Sequence, residues 1–503
     1  MDPLIILLIG MAYVIGGVLL LRLHAFVALI VGALVVGVLA TPGAIEQSVM
    51  NDKRIEKDIR KQATNRLGQD NPNLTNLVQE LHETQAKHTA AQSVISRVTG
   101  AFGKACGSLG ILIAMAAIIG KCLLDSGGAE RIIRSALGLL GEKRAPLAFT
   151  GSGFLLGTPV FFDTVFYLMI PLGKALAMRF RENYGLYIMT IVAGATMAHS
   201  LVPPTPGPLF VADQLDVDLG LMIIMGLVVG SVACATGYVY AKFVNRHKKW
   251  HVPLRDSADS PLAKLEEIVQ RDNKSLPPLG LALLPVLLPI ALIAGNTILE
   301  ELVAEPPVGL ATFLSVVGDR NIALIISAII ALGLLALQKR GDKQALFDSV
   351  QSALASGGVV ILITAAGASF GTMLQQTNIA ASIRELAEQY KITGLMVLPM
   401  AFLVTAVVRT AQGSATVSMI TSVGIFAGMA ATLPFHPVYL AMAIGCGSKP
   451  FPWMNDSGFW VINRMSGMTI GETIRSVSFL MTAMAINGLI AVMLLAWLFP
   501  MTG

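Results

Sequence analysis

The sequence predicts an all-α polytopic membrane protein made of two inverted repeats, each of about five transmembrane helices plus one re-entrant hairpin. Three observations carry that prediction. Of the 503 residues, 54% are hydrophobic and 13% charged, against roughly 25% charged in a soluble globular protein. Apolar runs long enough to cross a bilayer, about 17–25 residues, recur along the whole chain. Two longer apolar regions are interrupted by polar and small residues at equivalent places in the two halves.

In chain order, runs at roughly 3–21, 25–40, 104–124, 186–203, 217–240, 278–298, 320–338, 354–375, 437–453 and 477–499 predict ten spans. The first has no basic leader and no small-residue cleavage site, so it reads as a retained span. Residues 1–45 form the first two helices of repeat 1. Residues 46–103 are polar, with Leu74, Leu77, Val78 and Leu81 at helical spacing, and predict an extramembrane helical insert. Residues 104–241 complete repeat 1, with a hairpin at about 146–178. A linker, 242–277, precedes repeat 2 at 278–503, with its hairpin at about 394–432.

Loop charges orient the chain. Lys242, Arg246, Lys248, Lys249, Arg255, Lys264, Arg271 and Lys274 predict a cytoplasmic linker. Arg131, Arg134, Lys143, Arg144, Lys339, Arg340 and Lys343 fall on the same side. Segments 204–216 and 299–307 hold Asp213, Asp216, Glu300, Glu301 and Glu305 without a base and predict external loops. One threading satisfies all of these, with the insert and both termini outside. An odd number of crossings per half turns the second repeat upside down. The string Gly120-Lys-Cys-Leu-Leu-Asp-Ser aligns with Gly371-Thr-Met-Leu-Gln-Gln-Thr, and in the same register, with two residues inserted, Pro146 meets Pro399. Inverted repeats with broken helices are an architecture of secondary transporters.

Other classes recede. A net charge of +5 does not suggest nucleic acid. Cys106, Cys122, Cys234 and Cys446 stand alone in apolar surroundings and read as packing residues. No metal spacing, nucleophile–base pair, ATPase motif or dinucleotide fingerprint appears. The expectation is therefore a carrier driven by an ion gradient, with no cofactor and no enzymatic activity.

The candidate site follows from the interruptions. Residues 405–417, T-A-V-V-R-T-A-Q-G-S-A-T-V, place Arg409, Thr410, Gln412, Ser414 and Thr416 around Gly413. Their counterpart, 153–165, holds Thr158, Pro159 and Asp163. Non-helical backbone at membrane depth is tolerated where it is buried in protein or lines a watery cavity. Two proline-rich strings follow the two hairpins: His199-Ser-Leu-Val-Pro-Pro-Thr-Pro-Gly-Pro208, and Lys449-Pro-Phe-Pro-Trp-Met-Asn-Asp-Ser-Gly-Phe-Trp460. They add His199, Ser200, Thr205, Asn455, Asp456 and Ser457 to the expected substrate-binding set. Ionisable groups at membrane depth are functional candidates, so Asp163 and Asp456 are the expected ion-coupling carboxylates. Structural ion pairing is the competing role for Asp163, Asp456 and Arg409 alike, and Arg409 and Lys121 read as the bases at membrane depth. Hydroxyls, amides and helix N-termini together suit a hydroxylated carboxylate.

These strings, with Gly120-Lys-Cys-Leu-Leu-Asp-Ser-Gly-Gly-Ala-Glu-Arg-Ile132 and Thr158-Pro-Val-Phe-Phe-Asp163, resemble the gluconate permease family, which includes D-serine and related small-acid permeases. The resemblance implies proton-coupled symport of gluconate or a similar small hydroxy-carboxylate across the bacterial inner membrane. It also implies a homodimer with elevator-type alternating access. The chain departs from the family pattern in its 46–103 insert and at Thr205, where many relatives carry histidine. A D-serine or dicarboxylate carrier of the same fold, or sodium-coupled uptake, stays open.

Overall fold

A computed structural model describes residues 2–68, 71–247, 250, 252–255, 275–302, 308–379, 381–382, 385, 389 and 394–501. Most of the expected linker, with Lys248, Lys249, Lys264, Arg271 and Lys274, lies outside these, as does Glu305. The described residues are helical, with no strand among them. In the first half the helices are α1 (Pro3–Leu19), α2 (Ala25–Leu39), α3 (Pro42–Met50), α4 (Lys53–Leu67), α5 (Leu74–Ala91), α6 (Val94–Asp125), α7 (Gly128–Leu140), α8 (Ala145–Leu156), α9 (Phe162–Arg179), α10 (Tyr184–Leu201), α11 (Pro206–Gln214) and α12 (Leu219–Arg246). The second half holds α13 (Leu279–Leu302), α14 (Val308–Val317), α15 (Arg320–Gln338), α16 (Lys343–Gln375), α17 (Val397–Gln412), α18 (Ala415–Phe426), α19 (Pro437–Gly447), α20 (Ser457–Ser466), α21 (Ile470–Thr473) and α22 (Phe479–Leu498). A π-helical turn, Ile474–Ser478, joins the last two.

Among the described residues, 8 helical units are long and apolar enough to cross a membrane. The differences from ten spans are local. α2 bends by 103° into α3, because Thr41 caps a new helix and Pro42 fits its first turn. The span expected at 437–453 ends at Gly447, ahead of Pro450 and Pro452. α17 is itself counted, within a 19-residue unit. The loop expected at 204–216 is instead mostly α11, which starts at a proline after the break at 202–205.

α10 is the buried axis. It is apolar around its circumference, as a fully enclosed helix should be, and every residue except His199 is buried. Gly194 lets α8 approach α10, since a Cβ there would sit 2.2 Å from the Thr150 carbonyl oxygen. The two longest helices, α6 and α16, make the most extensive contact. At one end Arg97 ties them to α2, donating to Gln376 Oε1 at 2.6 Å and the Gly37 carbonyl at 2.9 Å. Element order repeats between the halves. A long helix (α6, α16) leads to a short 3₁₀ turn, a helix–break–helix (α8–α9, α17–α18), a second broken helix (α10–α11, α19–α20) and a final long helix (α12, α22).

Candidate substrate site

Three helix starts converge on one cavity of about 390 Å³. The first-turn N–H groups of a helix have no partner inside it, and the helix dipole adds to their positive character. α9 begins after Phe161, whose side chain cannot cap it, so its first-turn N–H groups receive no side-chain cap from that residue. At α18 the Ser414 hydroxyl accepts only from Val417 N–H, at 3.3 Å. At α20 Asp456 Oδ1 accepts from Phe459 N–H, at 3.1 Å. The lining includes 161–164, 413–416 and 456–459, so all three starts face the same space.

The break between α17 and α18 is held open by side chains from the segment after α19. Gly413 ends α17 in the left-handed region, φ 77°, and a Cβ there would lie 2.2 Å from the Asn455 carbonyl oxygen. Asn455 Nδ2 donates to the Thr410 carbonyl at 2.8 Å and the Ala411 carbonyl at 3.0 Å. Trp453 Nε1 also donates to Thr410, at 2.8 Å. These donors satisfy carbonyls that the end of α17 leaves without intrahelical partners.

Charge is arranged asymmetrically around the cavity. Arg409 is 3% exposed and Asp456 7%. They form an ion pair through Arg409 Nη2 and Asp456 Oδ2. Arg409 Nε donates to the Ser448 carbonyl at 2.9 Å, while its Nη1 has no hydrogen-bond partner among the described residues. Lys449 is 4% exposed and lines the cavity, yet its ammonium has no hydrogen bond or carboxylate partner among the described residues. Asp163 lines the same cavity without a hydrogen bond or ion pair among the described residues. His199 Nδ1 is buried and has no hydrogen-bond partner among the described residues, and its ring packs edge-on to Phe161 at 6.0 Å between centroids.

Of the residues expected from sequence, the cavity brings together Asp163, His199, Gly413, Ser414, Thr416, Asp456 and Ser457, with Arg409. The others lie outside it. Thr158 donates to the Phe154 carbonyl at 3.3 Å. Pro159 and Thr205 line a much smaller neighbouring cavity. Ser200 is buried on α10. Thr410 serves through its carbonyl, the Gln412 amide is buried without a partner, and Asn455 clamps the break. Sequence reading missed Thr164, Thr196, Ser356 and Lys449. Lys449 had a signal, since it falls inside the run 437–453 and is a base at apparent membrane depth. Lys121 pairs instead with Asp125, at 2.9 Å, and Ser349 donates to that carboxylate at 2.7 Å.

The sequence profile of GntP family permeases matches residues 77–498. The chain belongs to the GntP permease family. Two relatives are the gluconate permease of Pseudomonas aeruginosa, 30% identical over 80% of this chain and 88% of that protein, and the inner membrane permease YgbN of Escherichia coli, 31% identical over 77% and 85%. Among solved structures, the YdaH transporter of Alcanivorax borkumensis aligns over 82% of this chain and 90% of its own, with a TM-score of 0.58 at 14% identity. That likeness is one of fold. As a GntP family permease the protein is a multi-pass membrane transporter, not an enzyme.

Proposed function

We propose that this permease takes up gluconate or a similar small hydroxy-carboxylate together with a proton. The observation that carries the reading is the unpaired Lys449 ammonium in a cavity onto which three helix N-termini open. A carboxylate docks against Lys449 and the free Nη1 of Arg409, with the backbone N–H groups of α18 and α20 completing its shell. The hydroxyls of Thr164, Thr196, Ser356, Ser414, Thr416 and Ser457 take the substrate hydroxyls.

Charge bookkeeping supports the coupling. Arg409 and Lys449 against Asp163 and Asp456 give the lining a formal charge of zero (2 − 2). A proton on Asp163 makes it +1, and one bound monocarboxylate restores zero. A dianion would leave a net negative cavity, which favours a monocarboxylate over a dicarboxylate. Both oxygens of Asp456 are already engaged, by Arg409 and by the start of α20. Asp163 is therefore the proposed proton carrier, and Asp456 the group that holds Arg409 in place.

The repeated element order supports two inverted repeats, 1–45 with 104–241 and then 278–503, joined by a cytoplasmic linker. The insert 46–103 and both termini are then external. A homodimer in the bacterial inner membrane, moving its site by an elevator motion, completes the proposal. The test is uptake of labelled gluconate into proteoliposomes under an imposed proton gradient, with unlabelled acids as competitors. Uptake that collapses with a protonophore is expected. Asp163→Asn should abolish uphill accumulation while substrate counterflow persists. Proton-driven accumulation by that variant would overturn the coupling assignment. Competition by D-serine or a dicarboxylate rather than gluconate would change the substrate.

A further inference from the structure

A second cavity, about 470 Å³, opens between the start of α8 and the end of α12, away from the substrate site. Lys143, Arg144 and Lys242 line it together with Phe180, Tyr187 and Tyr238. Its one carboxylate, Glu142, is paired with Arg179 at 2.6 Å. Lys143 and Arg144 have no side-chain hydrogen bond or ion pair among the described residues. The Lys242 ammonium lies 4.7 Å from the centre of the Tyr238 ring, a contact that orients a cation without neutralising it. Three bases thus face one cavity without a counter-charge.

The surroundings say what supplies it. Val239 and Phe243 flank Lys242 on one face of α12 and are 65% and 51% exposed, and Leu147 on α8 is 41% exposed. In a membrane-spanning protein such apolar side chains face acyl chains. A basic cavity at the helix ends, continuous with an apolar outer wall, has the two-part chemistry of a phospholipid. We propose that this cavity binds the headgroup of an anionic phospholipid, its phosphate between Lys143, Arg144 and Lys242 and its acyl chains along Leu147, Val239 and Phe243.

A basic side chain near an anionic membrane surface contributes about fivefold in binding, so removing three predicts roughly 100-fold weaker retention. The experiment compares detergent-purified wild type with the triple variant Lys143→Gln, Arg144→Gln, Lys242→Gln and with Lys242→Gln alone. Each is titrated with phosphatidylglycerol, phosphatidylcholine or inorganic phosphate, reading thermal stability and lipid retained by native mass spectrometry. Phosphatidylglycerol should stabilise and stay bound to wild type, less so to the single variant, and not measurably to the triple variant. Gluconate competition at the substrate site should be unaffected in all three. Equal retention by wild type and both variants, or equal stabilisation by phosphatidylcholine, would overturn the proposal. Stabilisation by inorganic phosphate alone would overturn it in favour of a free-anion site.

Discussion

Replacing Lys449 with methionine separates a binding role from a structural one, because the two predict opposite signs. Methionine keeps an unbranched apolar stem and deletes the charge. Lys449 is 4% exposed and its ammonium has no carboxylate partner among the described residues, and burying an uncompensated charge costs several kcal/mol. Lys449→Met should therefore leave the thermal midpoint of the substrate-free protein unchanged or raise it. Transport should suffer instead. A charge-assisted hydrogen bond contributes about 1.5–3 kcal/mol, and each 1.4 kcal/mol or so is tenfold in affinity. The KM for gluconate should rise by about 10- to 100-fold, with stability retained. Initial uptake rates in proteoliposomes and thermal unfolding in detergent measure the two quantities on one preparation. An unchanged KM, or a midpoint that falls by several degrees, would refute the reasoning.

The remaining changes probe how the site is held. Asp456→Ala strands the Arg409 guanidinium, and removing one partner of a buried pair costs about 3–5 kcal/mol. That variant should lose stability and transport together, and full stability would contradict the ion-pair role. Gly413→Ala forces a side chain into the left-handed region, about 1–2 kcal/mol, and against the Asn455 carbonyl. Its folded yield in membranes should drop, and wild-type yield would show that the break is more pliable than described. Asn455→Ala unpairs the Ala411 carbonyl and leaves Thr410 with Trp453 alone, at about 1–3 kcal/mol. A measurable fall in thermal midpoint is expected, and none would mean that water replaces the clamp.

Much of the architecture was legible because bilayer thickness imposes a length on apolar runs, and α6, α12, α15, α16 and α22 follow it. The two polar interruptions were legible for the same reason, since membrane-depth polarity is costly. Helix ends were harder. The segment 204–216 read as an external loop, because Asp213 and Asp216 stand there without a base, and Pro203, Pro204, Pro206 and Pro208 all disfavour a helix interior. Only one of them, Pro206, was needed as the first residue of a new helix. Within the site, spacing along the chain singled out Asp163, Ser414 and Asp456, which line the cavity, together with Thr158, Ser200 and Asn455, which do not. Which face of a break a side chain takes is decided by tertiary packing. Lys449 stands at the end of the 437–453 run beside Pro450 and Pro452, and the fold buries it in the lining of the cavity.

The convergence of three helix starts on one cavity also bears on how the carrier can change its cargo. Part of the attraction for a negative charge there resides in the main chain, which no single substitution removes. The hydroxyl-bearing side chains around it can be exchanged without disturbing that attraction. Mutation can thus retune recognition of the rest of the molecule while its acidic end stays obligatory. Variants selected on new growth substrates should exchange residues such as Thr164, Thr196 or Ser356 and still take only acids.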